Sequence, residues 1–322
     1  MSVVVNGRFL GATPTGLHRT ARALLDAAVG LGLDADVRRP PAGGRAAGHA
    51  WEQLALPALA GRRTVLSLAN TAPVAARHGV VLVHDLGPLV GPHWFRRQMQ
   101  LYARISVAAA RRADAALTVS TQVAGELADR GVPSDRITVV RPALDPSFGP
   151  EDPAPVRRRL GLDRPYVLVV GWADPRKDAP SAVRAHLLAR ERVDHDLVLA
   201  GHPHPNFTPV DLPAAPSIRH AGYVSDAELR GLLTGAAALV YPSRYEGFGL
   251  PPLEAWACGT PAIVGDTPAQ REATEGRARY VAPGDVSDIA DAVVEALTGS
   301  LAVPPLPAWT WDDAARALLA AL

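Results

Sequence analysis

Residues 241–259 read YPSRYEGFGLPPLEAWACG, and this run sets a strand end, a tight loop and a helix start in immediate succession. Residues 236–240 are uniformly apolar and predict a buried strand, which Pro242 and Ser243 end. Gly247 and Gly249 let the backbone turn and approach a ligand with no Cβ in the way. Pro251 and Pro252 suit a first helical turn, where a missing N–H costs nothing, and Gly259 suits the helix end. Such a helix start offers free N–H groups of partial positive charge to phosphate oxygens or sugar hydroxyls. Glu246 stands before the loop and Glu254 lies inside the helix. A carboxylate accepts from two neighbouring hydroxyls at once, so one acid suits a ribose and the other a sugar ring. The same spacing also fits a capped surface helix with two solvated acids.

Strand and helix patterns alternate along the rest of the chain. Short segments at 2–5, 34–37, 64–68, 80–83, 115–119 and 137–140, most of them apolar, predict the strands of one doubly wound sheet. Those at 166–170, 196–200, 218–223, 236–240 and 261–265 predict a second. Between the sets, Pro142, Pro146, Pro150, Pro153 and Pro155 mark a connection. A chain of 322 residues suits two domains, expected at 1–150 and 151–307, with a final helical segment at 308–322. In such sheets ligands sit at the carboxyl ends of strands. His84 and Asp85 follow one such end directly, where a lone histidine is more often structural than functional.

Composition narrows the function. With 48% hydrophobic and 20% charged residues the chain can bury a sizeable core. A net charge of +1 argues against a nucleic-acid partner. Cys258 stands alone, which excludes an intramolecular disulfide and a cysteine metal cluster, and His202 with His204 lacks nearby carboxylates, so no metal is expected. The first residues do not read as a signal peptide and no run reaches a membrane-spanning length, so a cytoplasmic protein is expected. A long helix is expected over 94–112, carrying Arg96, Arg97, Arg104, Arg111 and Arg112. Its basic face fits a solvated exterior, or a peripheral contact with the anionic inner membrane face where a lipid-linked acceptor would be found.

The string from Glu246 through Gly247, Phe248, Gly249 and Leu250 to Glu254 closely resembles the two-glutamate signature of retaining glycosyltransferases of glycosyltransferase family 4. That resemblance implies the GT-B fold, an α/β architecture of two Rossmann-like doubly wound domains facing across a cleft. It places Glu246 by the donor sugar, Glu254 on the nucleotide ribose, and Gly247, Phe248, Gly249 and Leu250 in the donor loop. Gly16, in the loop after the first strand, matches the family's acceptor-side glycine, and His84 matches a histidine that reaches the donor sugar. Gly171 ends the first strand of the second domain, and Lys177 matches the family's phosphate-binding lysine. The family's arginine directly after that strand glycine is Trp172 here, with Arg176 the candidate substitute. The loop from Asp266 to Glu272 resembles a family loop with a downstream glutamate, and residues 309–322 resemble the terminal helix that packs back across the domains.

The implied reaction moves a sugar from a nucleotide-diphosphate donor to a saccharide, lipid-linked or small-molecule hydroxyl, with retained configuration, no metal and no cofactor beyond the donor. Lys177, Arg176 and the N–H groups after Gly247 would stabilise charge growing on the leaving diphosphate. Sugar-nucleotide epimerases and phosphorylases share a related architecture. A non-catalytic sugar-nucleotide-binding partner subunit is the other alternative, favoured by Trp172 and opposed by Glu246, Glu254 and Lys177.

Overall fold

The computed structural model describes residues 2–11, 15–41 and 44–322, with the backbone alone at Arg45. The chain forms two compact units. The first comprises the chain up to Pro92, Arg97–Ala143 and Trp309–Leu322, and the second His93–Arg96 and Leu144–Ala308.

In the first unit the order is β1 (Ser2–Asn6), α1 (Gly16–Gly30), β2 (Asp34–Arg38), α2 (Arg45–Ala60), β3 (Val65–Ser67), β4 (Gly79–Val83), α3 (Gly87–Val90), α4 (Arg97–Arg112), β5 (Ala115–Thr118), α5 (Thr121–Ala128) and β6 (Ile137–Val139). Its six-stranded parallel sheet runs β2-β1-β3-β4-β5-β6. Val3, Val4 and Val5 in β1 and Leu82 and Val83 in β4 are all 0% exposed. Successive strand residues face opposite ways, so such runs need cover on both faces of the sheet, which is why they occur in helix-flanked parallel sheets.

The second unit continues with α6 (Ala154–Leu160), β7 (Tyr166–Val170), α7 (Ala179–Ala189), β8 (Asp196–Ala200), β9 (Ile218–Gly222), α8 (Asp226–Gly235), β10 (Ala238–Tyr241), α9 (Pro251–Ala257), β11 (Ala262–Gly265), α10 (Pro268–Ala273), β12 (Arg279–Val281) and α11 (Val286–Leu297). Its parallel sheet runs β12-β11-β10-β7-β8-β9. The chain goes from β7 outward to β9, then returns to the other side of β7 with β10. That reversal opens a crevice beyond the carboxyl ends of β7 and β10, the usual ligand position in open α/β sheets.

The last helix, α12 (Trp311–Ala320), belongs to the first unit, where it packs on α1 and buries Ala314, Ala315 and Leu318. Thr310 and Asp313 close a capping box at its start, and Trp309 Nε1 donates to the Pro142 carbonyl at 3.0 Å. Within the first unit this helix packs mainly on α1 and also meets β6. The chain changes unit at 143/144, a little before the expected join at 150/151.

Two expected segments are corrected. The helix expected from residue 94 begins at Arg97, because residues 93–96 pack within the second unit. Phe95 is buried against Phe207 in an isolated antiparallel bridge, and Arg96 N–H donates to the Asn206 carbonyl at 2.9 Å. Arg96 thus leaves the basic helix face, whereas Arg97, Arg104, Arg111 and Arg112 remain exposed on α4. The loop expected over 39–48 turns helical at Arg45, so α2 is longer than a short helix from Trp51. Among the described residues no helix is long and apolar enough to cross a membrane.

Candidate functional site

At the β7–β10 reversal two loops meet. β7 ends in Gly171, whose φ of +68° suits glycine, and its Cα lies against Gly201 so closely that a Cβ on Gly201 would stand 3.3 Å away. The chain then forms a 3-10 turn over Pro175–Lys177, started by Asp174, whose carboxylate accepts from Arg176 N–H at 3.0 Å. This turn aims Lys177 at β10. Its Nζ donates to Glu246 Oε1 at 2.6 Å, hydrogen-bonds the Tyr241 hydroxyl and lies 4.6 Å from the Tyr241 ring centroid.

Burial sets the charge states. The Lys177 and Glu246 side chains are 14% and 7% exposed, so the pair is held in poor contact with water. Burial, and after it the Glu246 carboxylate, push the Tyr241 phenol well above its usual value, which keeps it neutral. Burial also pushes the Asp174 carboxyl up, but Arg176 and Lys177 more than offset this and hold it below the usual range.

Arg176 is clamped rather than extended. Its Nε and Nη2 donate to the Asp174 carboxylate at 2.7 to 3.1 Å, and its guanidinium lies over both the Phe95 and the Phe207 ring, 5.2 and 5.6 Å from their centroids. A phosphate bound here would share that cation with Asp174. Trp172 points elsewhere: its Nε1 donates to the Gly201 carbonyl at 2.9 Å and its ring meets His220 edge-on. It fills a packing position on the β8 side of the sheet.

The second loop runs from Ser243 to α9. Arg244 N–H donates to the Arg176 carbonyl at 2.8 Å, which ties the two loops together. Gly247, Gly249 and Leu250 are partly exposed, Phe248 is buried, and Gly249 has φ +91°. Phe248 therefore anchors the loop through its ring and can offer a ligand only backbone. Glu254 is half-buried in the first turn of α9. Lys177, Arg176, Gly171, Glu246, the 247–250 loop and Glu254 thus occupy one end of one sheet. Tyr241 and Asp174 were not legible as members of this group, although a polar residue ending an apolar strand and an acid two positions before an arginine are signals for them.

His84 and Gly16 lie in the first unit. His84 is 8% exposed, its N–H donates to Asn70 Oδ1 at 2.6 Å, and its Nε2 lies 2.8 Å from the Leu68 carbonyl. A carbonyl only accepts, so Nε2 carries the proton and Nδ1 keeps the lone pair. Burial holds the imidazole below its usual value against the opposing pull of Leu68 and Asp85. Gly16 begins α1 in the open, and a Cβ there would meet nothing within 4 Å. Part of the loop before it, residues 12–14, lies outside the described residues.

Beyond the ends of β1 and β3, where this sheet also reverses, Asn6, Arg8, His18, Glu52 and Thr71 line a cavity of about 60 Å³. Glu52 is fully buried and accepts from Asn6 and Arg8 at 2.9 Å and from Thr71 at 3.0 Å. Burial pushes its carboxyl up, yet His49, Arg8, Asn6 and Thr71 bring it down to about 2. Glu52 was not legible as a member of such a group; an acid within an inward-facing helix was its signal.

Two family models match the chain: "Glycosyltransferase Family 4" over residues 47–148 and "Glycosyl transferases group 1" over 164–299. Among curated proteins, the O-antigen chain mannosyltransferase B of Escherichia coli is 30% identical over 238 residues, which cover 70% of this chain and 62% of that protein. The D-inositol 3-phosphate glycosyltransferase of Acidothermus cellulolyticus is 32% identical over 236 residues, covering 64% and 52%. The chain therefore spans less than two thirds of the length of these relatives. Among solved structures, Anabaena Alr3699/HepE in complex with UDP-glucose aligns with a TM-score of 0.71 at 18% identity, covering 100% of this chain and 94% of that one. WaaG, a glycosyltransferase involved in lipopolysaccharide biosynthesis, aligns with a TM-score of 0.67 at 14% identity, covering 98% and 94%. With its two parallel six-stranded sheets, one family model on each half and glycosyltransferases as its relatives, the chain belongs to the family 4-like glycosyltransferases of GT-B fold.

Proposed function

We propose that the chain transfers a sugar from a nucleoside-diphosphate donor to an acceptor hydroxyl with retention of anomeric configuration, the donor being held by the second unit. The observation that carries this reading is the Lys177–Glu246 pair beside Tyr241, at the carboxyl ends of the two strands where the sheet reverses. As the bond from the sugar to the diphosphate lengthens, negative charge grows on the leaving oxygens. Lys177 supplies a positive charge already fixed in place, and the N–H groups after Gly247 supply dipoles, so little reorganisation accompanies the reaction. Glu246 orients Lys177 and accepts from hydroxyls of the donor sugar, while Glu254 accepts from the ribose. The neutral His84, with Nδ1 as acceptor, is the histidine that the family resemblance assigns to the donor sugar. Because lysine, arginine and backbone dipoles neutralise the leaving group, the reaction proceeds without a metal. Same-face attack assisted by the leaving phosphate is the route to retention, and the protein works in the cytoplasm.

The relatives are mannosyltransferases and an inositol phosphate glycosyltransferase, and one neighbour holds UDP-glucose, so the donor is a hexose on a nucleoside diphosphate. The test is a thermal-shift panel of UDP, GDP, ADP, dTDP and CMP, followed by turnover of the matching sugar nucleotides with and without mono- and disaccharide acceptors. A ligand at about a hundred times its dissociation constant adds roughly 2.7 kcal/mol, a visible shift. Stabilisation by one diphosphate and acceptor-dependent release of it is the expected result. Binding without turnover would favour a partner subunit, and free epimerised donor would favour an epimerase.

A further inference from the structure

We propose that Gln270 is a positioning residue for the donor: its amide hydrogen-bonds the backbone of the 247–249 loop when a nucleoside diphosphate is held there. The inference rests on the donor-site reading above and adds to it a residue on a different element. Gln270 is the third residue of α10 and is 0% exposed. Among the described residues neither its Oε1 nor its Nε2 has a hydrogen-bond partner. A buried amide without partners lowers stability, and an apolar residue of the same volume would avoid that cost. Its neighbours on the helix, Ala269 and Ala273, are fully buried apolar residues, so packing alone would be served by such a side chain.

The position of the amide says what it is for. A Cβ built on Gly249 would stand 1.9 Å from Gln270 Nε2, so the amide fills the space that a side chain at 249 would need. The donor loop and the unpaired amide are therefore in direct contact without a hydrogen bond between them. Gln270 is also fixed at its backbone. Its N–H donates to Thr267 Oγ1 at 3.4 Å, and its carbonyl accepts from Thr274 N–H and Oγ1 at 3.0 and 2.6 Å. Ser243 Oγ, at the other end of the loop, is likewise fully buried and unpaired. Unmade hydrogen bonds thus stand at both ends of the proposed donor loop. A primary amide both donates and accepts, so it can answer a loop whose N–H groups turn toward phosphate oxygens and whose carbonyls turn away.

The experiment measures thermal unfolding of the wild type, Gln270→Met and Gln270→Leu, alone and with UDP, GDP, ADP or dTDP, and the dissociation constant of whichever nucleotide binds the wild type. Both variants are expected to unfold at a higher temperature than the wild type without nucleotide, and to bind that nucleotide about tenfold more weakly. A residue with a merely structural role would not move the two readouts in opposite directions. A variant that unfolds earlier, or fails to fold, shows that the amide already has a partner and overturns the proposal. Unchanged affinity overturns it too. If the wild type binds none of the four nucleotides, the donor-site reading falls, and this inference falls with it.

Discussion

Lys177 Nζ lies 2.6 Å from Glu246 Oε1, a pair made between loops that follow the adjacent strands β7 and β10. Neither ion is well hydrated, so each depends on the other. Lys177→Met keeps the length of the side chain but leaves Glu246 buried without its cation. Stability measured by urea unfolding at neutral pH is expected to fall by about 3–5 kcal/mol, as for other broken buried pairs. Turnover is expected to fall by at least about a hundredfold. The double variant with Glu246→Leu is expected to regain most of the stability and none of the turnover. Activity in the double variant would reduce the pair to a structural contact.

Gly249 and Gly16 make opposite predictions. Gly249 has φ +91° and the Gln270 amide where its side chain would stand, so Gly249→Ala is expected to cost on the order of 1–3 kcal/mol and to weaken nucleotide binding. Gly16 opens onto solvent at the start of a helix, so Gly16→Ala is expected to leave the stability unchanged or raise it by up to about 1 kcal/mol. Loss of turnover in a stable Gly16→Ala protein would identify that surface as one the acceptor meets.

Glu254 is half-buried in the first turn of α9, and its proposed partner is a ribose. Glu254→Gln preserves its shape and is expected to change stability by no more than about 0.5 kcal/mol. Calorimetric titration is expected to show the nucleoside diphosphate binding about tenfold more weakly, while inorganic pyrophosphate binds both proteins alike. Equal weakening of pyrophosphate would move Glu254 from the ribose to the support of the phosphate site.

The strands were legible because parallel sheets demand apolar runs that need no partner to be recognised, as in 166–170 and 236–240. The donor loop was legible because its glycines, prolines and acids lie within one short segment. What pairs with what was not. Lys177 and Glu246 meet only because β10 returns beside β7, a fact of strand order that neither loop encodes locally. Phe95 breaks a helical pattern because Phe207 covers it, and Arg176 lies over both rings, a contact invisible in either segment alone. The packing of Trp172 against Gly201 and His220 explains the residue without assigning it a ligand.

Beneath α7 a buried chain of three side chains ties stability to pH. His195 Nδ1 lies 2.8 Å from the Val193 carbonyl, His186 Nδ1 lies 2.9 Å from His195 Nε2, and His186 Nε2 lies 2.9 Å from Ser217 Oγ. The carbonyl fixes the order: His195 donates to it, His186 donates to His195, and Ser217 donates to His186, with both rings neutral. Burial, and after it His195 and Arg190, bring His186 down to about 3, and burial lowers His195 as well. The unfolded chain takes up a proton near pH 6.5, where the folded one does not. This contribution to stability is therefore complete above pH 6.5 and is lost as the pH falls toward 3. By pH 5 the loss from His186 alone is about 2 kcal/mol. Urea unfolding between pH 7.5 and 4.5 is expected to show a steep decline in the wild type. His186→Gln, which hydrogen-bonds without titrating, is expected to start lower and decline less. Parallel curves would mean that His186 gains its proton within the folded protein.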